Sequence, residues 1–270
     1  MRVIELDILT GLVKRSGREG AFGFFLGAGC SVTSGIPAAA GIVAQIKRDL
    51  YAESTGINDV SAEAIDAWAK SRGMLRAPDQ AYSEALDLIA PTPRLRREYL
   101  ERFLRQGKPS AGYEALGALV RDGLVRTMFT TNFDRLIEES TGRTTLRVVT
   151  HDEAARDFGV DQENLTLYKL HGDYLFDRMA NTREELAQLG QRYGTRLAEM
   201  CRNYGLVVIG YSGSDESVMT VLEGVAQEAD SFPLGLFWLS LDPSSLSGRV
   251  VRLLELTQNG FAAKIAGFDE

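Results

Sequence analysis

The chain has 270 residues, 44% of them hydrophobic and 25% charged, enough to bury one large core or one core with an inserted module. Thirty-seven acidic against thirty basic residues give a formal charge of −7, which repels a phosphate backbone and argues against a direct nucleic-acid partner. Two cysteines, Cys30 and Cys201, are too few for a disulfide framework or a four-thiolate zinc site, so a reducing, cytoplasmic setting without a bound metal is expected.

The first twenty residues mix acids with apolar positions and do not read as a secretory signal. No later run has the apolar length of a membrane span. Leu6, Ile8, Leu9, Leu12 and Val13 recur at helical spacing and predict a short amphipathic helix. Phe22 to Leu26 is the first strong strand, and it runs straight into Gly27-Ala28-Gly29-Cys30-Ser31-Val32-Thr33-Ser34-Gly35-Ile36-Pro37. A helix follows from about Ala38 to Tyr51.

From about 54 to 109 the pattern is wholly helical, with a PTP interruption at Pro91 to Pro93 and an arginine-rich stretch that reads as a solvated helix face. This segment is expected to be a helical insertion within a single domain spanning 1–270. A helix to about Asp122 and a strand from Val125 to Phe129 then lead into Thr130-Thr131-Asn132-Phe133-Asp134. Leu146 to Val149 reads as a short strand before Thr150-His151-Asp152-Glu153, which resembles a capping box.

Leu165 to Leu170 is a strand ending in His171-Gly172-Asp173. A polar helical stretch from Thr182 to Asn203 precedes Leu206 to Ile209, which ends in Gly210-Tyr211-Ser212-Gly213-Ser214-Asp215. A further helix, a strand over Leu234 to Leu241, a helix from about Ser245 to Thr257 and a weak strand near Phe261 to Ile265 complete the chain. Strands that alternate with helices predict an α/β fold: a Rossmann-like parallel sheet with helices on both faces. Ligands bind beyond the carboxyl ends of such strands, and four strands here end in polar or glycine-bearing turns, at Gly27, Thr130, His171 and Gly210.

Glycines at a strand-to-helix turn let backbone N–H groups approach a diphosphate, a role that Gly27, Gly29 and Ser31 fit; a tight turn alone accounts for them equally well. The spacing G-x-G-x-x-G of ordinary dinucleotide sites is broken at Val32. Asp49, at the distance of a ribose-binding acid, falls inside a helical pattern, which disfavours a dehydrogenase. Taken singly, Asn132 reads as a turn former and Asp134 as a helix cap. His171, one of two histidines, suits proton exchange near neutrality, although a lone histidine is more often structural; His151, between polar neighbours, keeps the structural reading. Ser212, Ser214 and Asp215 offer groups suited to ribose hydroxyls and adenine edges, or simply cap the next helix.

Together and in this order, GAGCSVTSGIP, TTNFD, LHGD and GYSGSD resemble the sirtuin superfamily. The resemblance implies NAD as the bound molecule. It implies that Gly27, Ala28, Gly29, Ser31, Ser34, Gly35, Ile36 and Pro37 cradle the diphosphate and nicotinamide side, with Thr131 beside them. Asn132 and Asp134 would contact the nicotinamide ribose and carboxamide, His171 would act as base on or near the ribose, and Gly210, Ser212, Ser214 and Asp215 would hold the adenosine ribose.

Two departures narrow the expectation. Ala38, Ala39 and Ala40 replace the acid, aromatic and arginine that follow SGIP in protein deacylases, and the interval between His171 and Gly210 holds only Cys201 instead of two zinc-binding cysteine pairs. The pattern is closer to bacterial sirtuin-like NAD hydrolases of antiphage defence. That resemblance implies cleavage of the nicotinamide–ribose bond by a gated effector, homo-oligomeric and governed by a sensor protein or fused domain. The alternatives are a non-enzymatic NAD or ADP-ribose sensor, and a deacylase or ADP-ribosyltransferase.

Overall fold

A computed structural model describes residues 1–16, 20–74, 81–142, 146–150, 165–171 and 194–270. Eight parallel strands form one sheet: β1 (Arg2–Ile4), β2 (Phe22–Leu26), β3 (Val125–Thr130), β4 (Leu146–Val149), β5 (Leu165–Lys169), β6 (Gly205–Ile209), β7 (Leu236–Ser240) and β8 (Gly260–Lys264), in the order β1-β8-β7-β6-β2-β3-β5-β4. The expected Rossmann-like α/β architecture is therefore present. The sequence reading lacked only the three-residue edge strand β1, too short to show a periodicity.

Strands β2, β5 and β6 are buried at every residue, as parallel strands covered on both faces must be. Alternate side chains feed two cores. On one face Phe25, Phe129, Tyr168, Val208 and Trp238 pack against Leu197, Met200 and Cys201 of α8 (described over 194–203), against α9 (Glu216–Ala226) and against α10 (Gly248–Leu256). On the other, Phe24, Leu26, Leu167, Val207 and Ile209 pack against α1 (Leu6–Arg15), α6 (Ala111–Arg121) and α7 (Leu136–Thr141).

Between β2 and α6 lie α2 (Ala39–Thr55), α3 (Ala62–Ser71), α4 (Ala81–Ile89) and α5 (Pro93–Leu104). The PTP sequence starts α5: Thr92 accepts from the Leu95 N–H at 3.3 Å, and Pro93 occupies the first turn, where its missing donor is harmless. Ile42, Ile46, Ala85, Leu86 and Leu100 form a small core of their own, which meets the core of one sheet face only through the partly buried Leu104 among the described residues. Ile46→Ala is expected to destabilise the protein by about 2–5 kcal/mol, read from the urea midpoint. An early separate transition in that variant would mark these helices as an independently melting unit.

The sheet order reverses at β2, whose neighbours are β3 on one side and β6 on the other. Such a switch point leaves a crevice above the carboxyl ends of the central strands, because the connections leave in opposite directions. The turns after β2, β3 and β6 flank that crevice, and the turn after β5 adjoins it. The capping-box residues 151–153, Gly172, Asp173 and residues 182–193 of the polar stretch lie outside the described residues. No helix among the described residues is long and apolar enough to cross a membrane.

Candidate active site

The turn after β2 is pinned to the turn after β6, backbone against backbone. Gly27 N–H donates to Ile209 O at 2.9 Å and Gly29 N–H to Gly210 O at 2.8 Å. A Cβ on Gly27 would stand 2.5 Å from Gly210 O, so glycine is required by the approach of the two turns. These two N–H groups, expected to face a diphosphate, are thus engaged within the protein. Cys30 is buried beneath the contact, where its thiol donates to Ile209 O at 3.3 Å and burial pushes its pKa upward. The exposed rim of the first turn consists of Gly29, Val32, Thr33 and Gly35, with Ala28 and Pro37 half-buried.

Ser31 and Ser34 face inward. Ser34 Oγ accepts from the Ser110 N–H at 3.2 Å, and Ile36 is buried beside Gly107. Ser31 Oγ lies 2.8 Å from Asp134 Oδ2, 2.9 Å from the Tyr113 hydroxyl and 3.1 Å from Asn132 Nδ2. A hydroxyl has one proton and two lone pairs. The carboxylate takes the proton, so Ser31 accepts from Tyr113 and from Asn132, and its capacity is full.

The same accounting fixes Asn132. Its amide nitrogen lies 3.2 Å from Gly27 O, which can only accept, and 3.1 Å from Ser31 Oγ, so both amide hydrogens are committed and the side-chain orientation is set. Its main-chain N–H bonds to Thr130 Oγ1 at 3.0 Å, and Thr130 Oγ1 donates to Leu26 O at 2.8 Å, which ties β3 to β2 just below. The remaining polar atom, Asn132 Oδ1, is buried with no partner among the described residues. Asp134 combines both roles weighed for it: Oδ1 accepts from the Leu136 N–H at 3.1 Å as α7 begins, and Oδ2 accepts from Ser31.

His171 stands two residues past the end of β5, as Asn132 stands two past β3, and Thr130 pairs with Lys169 in the parallel register. The two side chains therefore crown adjacent strands. Phe133 packs near the imidazole, with ring centroids 6.1 Å apart and tilted at 41°. His171 Nε2 is buried and lies 3.3 Å from Asp215 Oδ1 without hydrogen-bond geometry, so it too lacks a hydrogen-bond partner among the described residues. Burial holds its pKa below the ordinary histidine value, and the nearby Asp215 carboxylate partly opposes this. The imidazole is consequently neutral at pH 7, the form that can accept a proton.

Asp215 precedes α9, and Ser212 and Ser214 are exposed with their hydroxyls 2.7 Å apart. Gly210 is half-buried. The four turns expected from sequence thus meet at one edge of the sheet, with Asn132, Asp134 and His171 inside and Ser212 and Ser214 at the rim; Thr131 is half-buried beside them. Asp49 is remote from this edge in its packing: it accepts from Gln45 and from Tyr99, each at 2.7 Å, and pairs with Arg102 on the helical layer.

Three residues of the site escaped the sequence reading. Tyr113, on α6, completes the Ser31 network, and nothing about a tyrosine in an amphipathic helix distinguishes it. Lys169 and Glu138 had a legible signal: a lysine at the end of an otherwise apolar strand has to find a partner when the strand is covered on both faces. Lys169 is fully buried, and its Nζ lies 3.2 Å from Glu138 Oε1.

Residues 126–259 match the family model described as the SIR2-like domain. Over nearly its whole length the chain is also similar to solved structures. The one described as "Structural Basis for the Mechanism and Regulation of Sir2 Enzymes" aligns with a TM-score of 0.50 at 16% identity, covering 98% of this chain and 94% of that one. The one described as "The Structural basis of Sirtuin Substrate Affinity" aligns with a TM-score of 0.49 at 15% identity, covering 97% and 94%. A comparison with curated proteins finds no match. The first glycine turn precedes the matched segment, and the backbone contacts of Gly27 and Gly29 with Ile209 and Gly210 join it to that segment. Residues 126–259 are thus similar to the SIR2-like domain, and the chain as a whole shares the fold of the solved structure aligned at a TM-score of 0.50.

Proposed function

We propose that the chain is an NAD glycohydrolase, which converts NAD⁺ and water into nicotinamide, ADP-ribose and a proton. The observation that carries this reading is the pair of buried polar atoms, Asn132 Oδ1 and His171 Nε2, left without hydrogen-bond partners among the described residues at the ends of adjacent strands. Leaving a buried polar atom unpaired costs about 1–3 kcal/mol, so two at one switch point are expected to serve a hydrogen-bonding group that arrives from outside, such as water or a ribose hydroxyl.

In this reading Asn132 Oδ1 accepts a hydrogen bond from the water that attacks C1′ of the nicotinamide ribose. The C1′–N bond breaks, its electron pair leaves with nicotinamide, and the water oxygen bonds to C1′ through an oxocarbenium-like transition state. His171 accepts the proton released, directly or through a ribose hydroxyl. Asp134 holds Ser31, and through Ser31 the Asn132 amide; it is also the residue whose contact to nicotinamide is expected from the sequence. Gly29, Ser212 and Ser214 flank the crevice where the diphosphate and the adenosine ribose would lie.

Free hydrolysis of NAD would harm the cell that makes the enzyme. The reading therefore includes low basal activity, released by a sensor protein, a fused domain or homo-oligomeric assembly, as in an antiphage effector. The test is chromatography of NAD incubated with the pure chain, with and without lysate from phage-infected host. Equimolar nicotinamide and ADP-ribose are expected, and Asn132→Ala should remove them while circular dichroism stays unchanged. NAD recovered intact under every condition would overturn the proposal; nicotinamide release that requires an acylated peptide would redirect it to deacylation.

A further inference from the structure

The segment from Thr131 to Arg135, which carries Asn132 and Asp134, has no helix or strand of its own. Its main-chain carbonyls need donors from elsewhere, and they find one in an unusual place. Lys169 is the last residue of β5, fully buried, and its Nζ donates to Phe133 O at 3.4 Å, to Asp134 O and to the Glu138 carboxylate at 3.2 Å. Two residues further along the same strand end stands His171. One cation is thus bonded to the loop of one candidate group while its own backbone carries the other.

We propose that Lys169 is a positioning residue that sets the distance between Asn132 and His171, with Glu138 neutralising its charge. An ammonium aimed at two carbonyls from a rigid strand fixes the loop more firmly than neutral contacts would, because hydrogen bonds to a charged donor are roughly twice as strong as neutral ones. Burying the charge demands a counter-ion, and Glu138, one helical turn into the chain beyond Asp134, is itself almost fully buried. The arrangement acts on the reaction through Asn132 and touches neither water nor sugar. Its catalytic consequence rests on the glycohydrolase reading above; its structural consequence does not.

The test separates the two. Lys169→Met alone takes from the Glu138 carboxylate its buried ammonium partner and is open to misfolding, so the main variant is Lys169→Met with Glu138→Gln, which removes both charges at similar volume. Glu138→Gln alone keeps the lysine on the carbonyls, at a cost in global stability that the urea midpoint reads. In the double variant the amides of residues 131–136 should exchange with deuterium at least about tenfold faster than in the wild type, while amides of β2 and β6 stay protected. In Glu138→Gln the loop should remain protected. Where the wild type releases nicotinamide, kcat in the double variant should fall about 10- to 100-fold with KM little changed, since a displacement of about 1 Å can cost 10²-fold. Unchanged loop exchange in a folded double variant overturns the proposal whatever the wild type does to NAD. A faster-exchanging loop with full kcat overturns the catalytic part. A wild type that leaves NAD intact under every condition, beside a faster-exchanging double variant, retains the clamp and rejects the glycohydrolase.

Discussion

His171→Asn should lower nicotinamide release by about 10²- to 10⁴-fold, the usual contribution of a positioned acid or base, with little effect on NAD affinity. It should also change how stability responds to acid, in a direction that can be worked out beforehand. The imidazole is neutral in the folded protein because burial opposes its charged form, and Asp215 only partly offsets that. In the unfolded chain the group titrates near its ordinary pKa of about 6.5.

Since the folded pKa lies below the unfolded one, the unfolded state binds the proton more readily. The contribution of His171 to stability is therefore fully present above about pH 6.5 and declines as pH falls from there toward the lowered folded value. Urea midpoints measured from pH 7.5 down to pH 5 should fall for the wild type, and more gently for His171→Asn. In the wild type, kcat/KM should hold up near neutrality and lose its acid limb only below about pH 6.5, because the base is already deprotonated there. Parallel stability curves for the two proteins would place His171 in water, and the base with it.

The sheet was legible from sequence because buried parallel strands announce themselves as apolar runs closed by polar turns. Phe22 to Leu26 and Leu146 to Val149 have the same limits in sequence and structure, and the other core strands differ by a residue or two at their ends. Arg2–Ile4 was not legible, since three residues at a sheet edge carry no pattern beyond what a loop would show. The meeting of the four turns followed from the parallel topology, which places every strand's carboxyl end on one side.

The hydrogen-bond allegiances inside the site were not legible in the same way. Ser31 looked like a residue for a ligand, yet its hydroxyl is saturated by Asp134, Tyr113 and Asn132, which lie 103, 82 and 101 residues away in sequence. Such partners are chosen by packing between α6, β3 and the first turn, and local sequence carries no record of them. Lys169 differs, because an isolated charge in a covered strand points to a buried counter-charge even when its identity is hidden.

Gly210→Ala is expected to be among the most damaging single-methyl additions in the protein, and the reason separates two meanings of a glycine in a strand-end turn. Gly210 has φ of +65°, a conformation that costs an L-residue roughly 1–2 kcal/mol. Its added Cβ would also stand 2.5 Å from Cys30 N and 2.7 Å from Cys30 Sγ, distances that only a shift of the opposing backbone can relieve. Gly35, in the facing turn after β2, has φ of +88° but open space around its Cβ. Gly35→Ala should therefore lose only the conformational part, and Gly210→Ala that part plus about 1–3 kcal/mol of overpacking. Urea midpoints of the two variants measure the difference directly. Because Gly29 N–H donates to Gly210 O and Asn132 Nδ2 to Gly27 O, the shift that Gly210→Ala forces should carry through the first turn to Asn132, and residual folded protein should lose NAD cleavage as well. Equal stability of the two variants would mean that the turns do not touch, and with that contact would go the constraint that holds the Asn132 amide.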